Sequence, residues 1–172
     1  MPVCVEVRAE LPPGVVIVVE KAARRMGVYE LGALRRTDTG PACFSVALGG
    51  SPVGDKERRG DERTPEGTFR VTHRNPSSAF HLSLGLNYPT ARHAEAAFAR
   101  GAVDRASRDR IVAADRPGRM PVRDSPLGGD IYLHGGGSQP PGWTDGCVAI
   151  ADAEMDWLFT VAAPGTVVWV LP

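Results

Sequence analysis

The sequence predicts a mainly β fold, of the sandwich or barrel kind, with a few short helices. Three observations point there. Short apolar runs of alternating or β-branched character recur through the first 50 residues. Glycine and proline are abundant, at 20 and 15 residues, which suits a turn-rich β protein better than a helix bundle. One stretch only, residues 90–115, switches to an Ala- and Arg-rich helical composition.

Taken in order, "CVEVRAEL" alternates and reads as a strand, and "GVVIVVEK" is a continuous β-branched run that reads as a buried one. "RRMGVYEL" and "CFSVALG" follow, separated by the turn residues "DTGP". Residues 50–66 read as a long polar loop, with the mixed-sign run "KERRGDER" as its solvated part. "GTFRVTHR" is the next strand, expected to end at Asn75-Pro76, and "FHLSLGLNYP" alternates again up to Pro89. Residues 90–115 predict two helices broken near Gly101, inserted between strands. "DIYLH" is a short strand. "DAEMDWLFTVAA" is an amphipathic helix with Asp152 as expected N-cap and acids in its first turn, and "TVVWVL" is a final strand.

The 172 residues suit one domain with a single core, and apolar (42%) and charged (23%) fractions are those of an ordinary globular protein. Formal net charge is zero, which argues against nucleic acid or an anionic membrane as the main partner. No run is long and apolar enough to span a membrane, and the start shows neither the basic nor the apolar region of a signal peptide. The three cysteines, Cys4, Cys43 and Cys147, form no CxxC pair. At most Cys4 and Cys43 pair, which leaves Cys147 as the odd thiol.

Several motifs fail on inspection. "GGSPVGDK" lacks the Gly-Lys-Ser/Thr ending of a phosphate loop and puts Asp55 where a phosphate would be repelled. "HGGG" at 134–137 resembles a lipase oxyanion motif, but no Gly-x-Ser-x-Gly elbow accompanies it. The four histidines show no metal-ligand spacing. What remains is His134 and Cys147 in "DIYLHGGGSQPPGWTDGCVAI". A thiolate is the reactive form of cysteine and a nearby imidazole can take its proton. Gly146 allows close backbone approach, amides around Gly146 and Cys147 could hold an oxyanion, and the Gly-rich link can fold the two side chains together. On spacing alone, a core cysteine and a surface histidine explain the same residues.

"IYLHGG" followed by "WTDGCVAI" resembles the catalytic signature of the L,D-transpeptidases, the YkuD-type peptidoglycan enzymes. "VALGGSPVGDKERRGDERTPEGTFRV" is similar to their Gly…Thr-Pro-x-Gly-x-Phe region, and "RNPSSAFHLSLGLNYP" and "DAEMDWL" resemble one branch of them. The resemblance covers residues 15–171 and implies one catalytic domain over 1–172, an L,D-transpeptidase-like β-sandwich with a few short helices and a helical insertion near 90–115. It implies that His134 is a base oriented on a backbone carbonyl near Gly135. Cys147 then attacks the carbonyl between a diaminopimelate-like third residue and D-Ala of a peptidoglycan stem peptide, with the Gly146 and Cys147 amides holding the oxyanion. An amine resolves the thioester into a cross-link, or water into a shortened stem. The resemblance further implies no metal or organic cofactor, carbapenem-type β-lactams as covalent inhibitors, a monomer, and an extracytoplasmic site of action.

Two departures mark the site: Asp145 stands where the family has His, and Ala149 where it has Arg or Asn; the loop from His134 to Cys147 is also short. These put transfer versus hydrolysis in question, so an L,D-carboxypeptidase or amidase, also as an antibacterial effector, stands beside the transpeptidase. A non-catalytic wall-binding domain is the reading from another class. Trp143, Thr144 and Asp145 are candidates for the pocket rim, with Asp145 alternatively orienting His134 or capping the turn at Gly146. Tyr132 shares a strand face with His134. His81, Asn75 and Ser78 fall in the matching stretch, His81 as a cleft candidate. The 90–115 insertion is either a lid or wall of the acceptor side or a solvated decoration.

Overall fold

The computed structural model describes residues 2–172. The apolar run after Gly14 forms β1 (Val15–Glu20), buried at its four central residues. It is apolar throughout because both its faces are covered: Ile17 and Val19 enter the main core, whereas Val16 and Val18 join a smaller cluster with Leu11 and Tyr29. β2 (Arg25–Glu30) pairs antiparallel with β1. The short β3 (Ala33–Leu34) and β6 (Cys43–Ser45) pair with β2, and β4 (Arg36–Thr37) and β5 (Gly40–Pro41) form a separate ribbon.

β7 (Gly67–Ser78) is the long strand that turns the corner of the sheet. Its first residues pair with β11 (Val167–Leu171), which lies parallel to β1, and the rest pairs with β8 (His81–Leu86). β9 (Tyr132–His134) follows β8 antiparallel, and β10 (Val148–Ala149) closes the order β10-β9-β8-β7-β11-β1-β2-β3. Just past β6, Ala47 bridges to Ala149 and Gly49 to Thr144, so the two ends of this mixed sheet meet. Phe69, Leu84, Leu133, Val148 and Val168 fill the space it encloses, with Met155 and Leu158 of α3 (Asp152–Val161). The mainly β architecture is the expected one.

Three local expectations are corrected. Residues 4–11 make only one bridge, Val7 to Ala33, because this segment runs as a strap over the second cluster rather than as a ladder strand. It is held by a Cys4–Cys43 disulfide and by the Tyr29 hydroxyl donating to the Val5 carbonyl. β7 does not end at Asn75-Pro76: a register irregularity between Asn75 and Ser78 takes up the proline, which has no N–H to give a ladder. The N-cap of α3 is Ala151, whose N–H is accepted by Glu154, and Asp152 is the first helical residue.

The 50–66 loop is not simply solvated. Both lysines of the chain are buried around it. Lys21 donates to the carbonyls of Gly54 and Thr64 and to Glu66, and Lys56 to Asp61 and the Arg58 carbonyl. An ammonium has three donors; Lys21 finds three acceptors and Lys56 two, a carboxylate among them in each case, which is the condition for burying it. The insertion forms α1 (Ala91–Ala99) and α2 (Arg105–Ala114). Ala94, Ala97 and Ile111 enter the main core, so the helices are packed structure and not a solvated decoration.

Candidate active site

Parallel pairing of Leu133 with Val148 and of His134 with Ala149 sets the two motif halves side by side. Cys147, one residue before β10, therefore lies against the start of β9: the Tyr132 N–H donates to its Sγ (3.4 Å), and the thiol donates to the Asp130 carbonyl (3.5 Å). The turn into Cys147 requires glycine. Gly146 has φ 131°, and a Cβ there would sit 2.7 Å from the Arg63 carbonyl oxygen. Thr144 braces the turn, its hydroxyl donating to the Cys147 carbonyl (2.7 Å) and accepting from the Gly146 N–H (3.2 Å).

His134 is 3% exposed. Its ring packs face to face on Phe80 (centroids 4.7 Å) and edge to face on Trp143 (5.5 Å). Nδ1 lies 2.6 Å from the Gly135 carbonyl oxygen, so Nδ1 carries the proton and Nε2 is the basic nitrogen. Burial lowers the His134 pKa, against the Gly135 carbonyl, which raises it. Burial pushes the Cys147 thiol up to about 11, opposed by the Tyr132 amide and reinforced by the Asp145 and Asp130 carboxylates. Both shifts favour the neutral forms, thiol and imidazole, over the charged ones.

Both groups line one cleft of about 860 Å³. Its lining also includes Phe80, Trp143, Thr144 and Asp145, Lys56, Arg59 and Glu62 from the 50–66 loop, and Arg123, Asp124 and Asp130 from the linker after α2. The insertion helices do not line it; the linker that follows them does, against the expectation of a helical lid. Arg59 pairs with Asp124 (2.8 Å) and Arg123 with Asp130 (2.5 Å), so the lining carries both signs of charge.

The predicted residues divide as follows. His134, Cys147, Trp143, Thr144 and Asp145 share the cleft. The exposed Asp145 neither orients His134 nor caps the turn, because the Gly135 carbonyl does the first and Thr144 the second. The Gly146 amide is taken by Thr144, which leaves the Cys147 amide as the remaining candidate of that pair for an oxyanion. Tyr132 meets the sulfur through its backbone; its hydroxyl turns to Asp130 and its ring edge to His73. His81 is bound to Asp156 of α3 (2.5 Å) and does not line the cleft. Asn75 and Ser78 accept from the Ser77 and Phe80 amides and shape the tip of the β7–β8 hairpin, which carries Phe80 to the imidazole. Sequence reasoning missed Phe80, Arg59, Glu62 and Arg123. No local spacing marks them; only the ladder and the packed loops bring them together.

A thiol and an imidazole presented by adjacent strand ends in one cleft define the class of cysteine–histidine sites. The match to known proteins is narrower: residues 14–170 fit the L,D-transpeptidase catalytic domain, YkuD, and the chain belongs to that family. Among solved structures it resembles the helical cell shape determining protein Pgp2 from Campylobacter jejuni (TM-score 0.58, 19% identity, 91% of this chain and 47% of that one). It also resembles an L,D-transpeptidase from Xylanimonas cellulosilytica (TM-score 0.54, 18% identity, 94% and 62%). A third likeness is to the Ldtfm–avibactam carbamoyl enzyme (TM-score 0.54, 14% identity, 94% and 50%). At these identities the likeness is one of fold, and the chain spans about half to three fifths of those proteins' length. No curated protein matches the sequence.

Proposed function

We propose that the protein is a cysteine-dependent peptidoglycan L,D-transpeptidase. The observation that carries the reading is the shared cleft in which Cys147 sits beside β9 and His134, at the end of that strand, has Nδ1 committed to the Gly135 carbonyl and Nε2 left free to accept a proton. With a neutral pair at rest, His134 Nε2 takes the thiol proton as Sγ attacks the carbonyl between the third stem residue and D-Ala. The Cys147 amide stabilises the oxyanion. His134 then returns the proton to the leaving D-Ala amine, and a thioester remains. An acceptor amine, deprotonated by His134, gives the cross-link.

Hydrolysis of the same thioester is the second reading. It is favoured by Ala149, which is fully buried and bridged to Ala47, so the cleft lacks the basic or amide side chain the family offers there. Phe80 and Trp143 shield one face of His134 from water, which supports transfer. The disulfide supports an oxidising, extracytoplasmic location. The avibactam carbamoyl enzyme formed by a structural relative supports covalent carbamoylation of Cys147 by the same class of cyclic urea.

The test is incubation with a purified disaccharide-tetrapeptide, read by mass spectrometry. Dimers lacking one D-Ala are expected. Tripeptides alone would establish the hydrolytic reading. No product from the wild type, or equal product from Cys147→Ala, would sink both. A carbapenem adduct is expected on the wild type and not on Cys147→Ala.

A further inference from the structure

The carbonyl that accepts from His134 Nδ1 and the N–H of Gly136 belong to one peptide group. Its oxygen, on Gly135, lies 2.6 Å from Nδ1; its N–H donates to Asp152 Oδ1 at 2.7 Å. The approach of the carboxylate is close: a Cβ on Gly135 would lie 2.6 Å from Asp152 Oδ1, 2.9 Å from the Phe80 carbonyl oxygen and 3.0 Å from the His81 Cβ. Any side chain at 135 would push the acid away, so the glycine and the acid fit as a unit.

We propose that Asp152 is a positioning residue for His134, acting through the Gly135–Gly136 peptide. This rests on His134 being the base of the proposed reaction. The carboxylate accepts from the amide and so increases negative charge on the carbonyl oxygen, which strengthens the bond from Nδ1–H. The ring is thereby held in one tautomer, and the imidazolium formed when Nε2 takes the thiol proton is stabilised. No proton passes to Asp152; the peptide is polarised and both of its hydrogen bonds persist.

Other charged groups stand around the imidazole. Cys147 and Asp145 share its cleft from the Gly146 turn. Lys56, Arg59 and Glu62 face it from the 50–66 loop, and Arg123 and Asp130 from the linker. His81, held by Asp156, lies beside Asp152 on the far side of the peptide. A change confined to residue 152 leaves all of these in place.

The test compares Asp152→Asn, which keeps an acceptor oxygen and removes the charge, with Asp152→Ala, which removes both. The first readout is the His134 titration followed by NMR of the imidazole nitrogens. Its pKa is expected to fall in Asp152→Asn and the Nδ1–H tautomer of the neutral ring to be less favoured, whereas a charge at the helix terminus acting through space alone would lower the pKa and leave the tautomer unchanged. In the wild type the Gly136 amide resonance is expected to shift as His134 titrates, a check that needs no variant. The second readout is turnover: kcat/KM is expected to drop roughly tenfold in Asp152→Asn and roughly a hundredfold in Asp152→Ala, with the acidic limb of the Asn profile moved to lower pH. An unmoved His134 titration or tautomer in Asp152→Asn, or a Gly136 amide indifferent to His134, would overturn the proposal whatever happens to turnover. If the wild type turns over no stem peptide, the functional reading falls, and the titration still decides the relay.

Discussion

Gly146→Ala tests how far the site depends on one backbone approach. At φ 131° an alanine is strained, and its Cβ would sit 2.7 Å from the Arg63 carbonyl oxygen and 3.3 Å from Ile131 Cδ1. The strain costs roughly 1–3 kcal/mol. Pushing a carbonyl aside in a packed region costs roughly 1–3 kcal/mol more. The sum, roughly 2–6 kcal/mol, is a large part of the ~5–15 kcal/mol that holds a domain together. For a chain of this size it predicts a Tm lower by about 10 °C. The relief available is a shift of the 144–147 turn away from Arg63, which moves Cys147 relative to Tyr132 and Asp130. Turnover of tetrapeptide should therefore fall further than stability alone explains, measured well below the variant's own Tm. Thermal melting and the mass-spectrometric assay on the same sample check both effects. A variant that melts within about 2 °C of wild type would refute the contact argument, and one that melts low yet turns over normally would refute the link from turn to thiol.

Two further outcomes follow from the same structure. The Cys147 thiol is raised from an ordinary value of 9.0 to about 11, so the fold favours its protonated form. The stabilisation is complete below pH of about 9 and is lost as pH rises through about 11. The urea midpoint of the wild type should accordingly fall relative to Cys147→Ser across that window, and parallel curves would count against a buried thiol. The Cys4–Cys43 disulfide closes a separation of 39 residues, which corresponds to about 4 kcal/mol of chain entropy. Denaturation with and without reductant should show a loss of that order, as should Cys4→Ser; no difference would mean that the strap over Val16, Val18 and Tyr29 holds without it.

The strands, and the placement of Cys147 and His134 at neighbouring strand ends, were legible in the sequence because their signals are local. β1, β2, β8 and β11 are continuous apolar or alternating runs, and Gly146-Cys147 and His134 sit at strand boundaries that glycines punctuate. The strap was misread because Val5, Val7, Ala9 and Leu11 alternate with polar residues like a strand, while Val5 and Val7 in fact face solvent, at 47% and 63% exposure. Alternation shows that a segment is extended, not that it finds a ladder. The contribution of the 50–66 loop and the 115–130 linker to the cleft was invisible for another reason. Arg59 meets Asp124 across 65 positions, and that register is fixed by Arg59 N–H donating to the Pro126 carbonyl, which no residue pattern announces.

The resting thiol bears on what the cleft can select. At a pKa of about 11, the thiolate fraction at neutral pH is on the order of one in ten thousand. In the proposed reaction the reactivity of Cys147 then comes from a carbonyl placed against Sγ while His134 Nε2 receives the proton. Placement falls to the cleft lining, which carries both signs of charge: Arg59 pairs with Asp124 and Arg123 with Asp130, and Asp145 is in the same cleft. The Arg59–Asp124 pair is solvent-exposed, at 60% and 96%, and so costs little to rearrange. A stem peptide bears both ammonium and carboxylate groups near the scissile bond, and such a lining can meet each with its counterion. Asp145 then has a physical role consistent with its sign. Its charge disfavours the free thiolate, and in the proposed reaction a cationic group on the incoming chain would offset that charge, so Asp145→Asn is expected to raise KM for an amine-bearing stem peptide more than for an uncharged one.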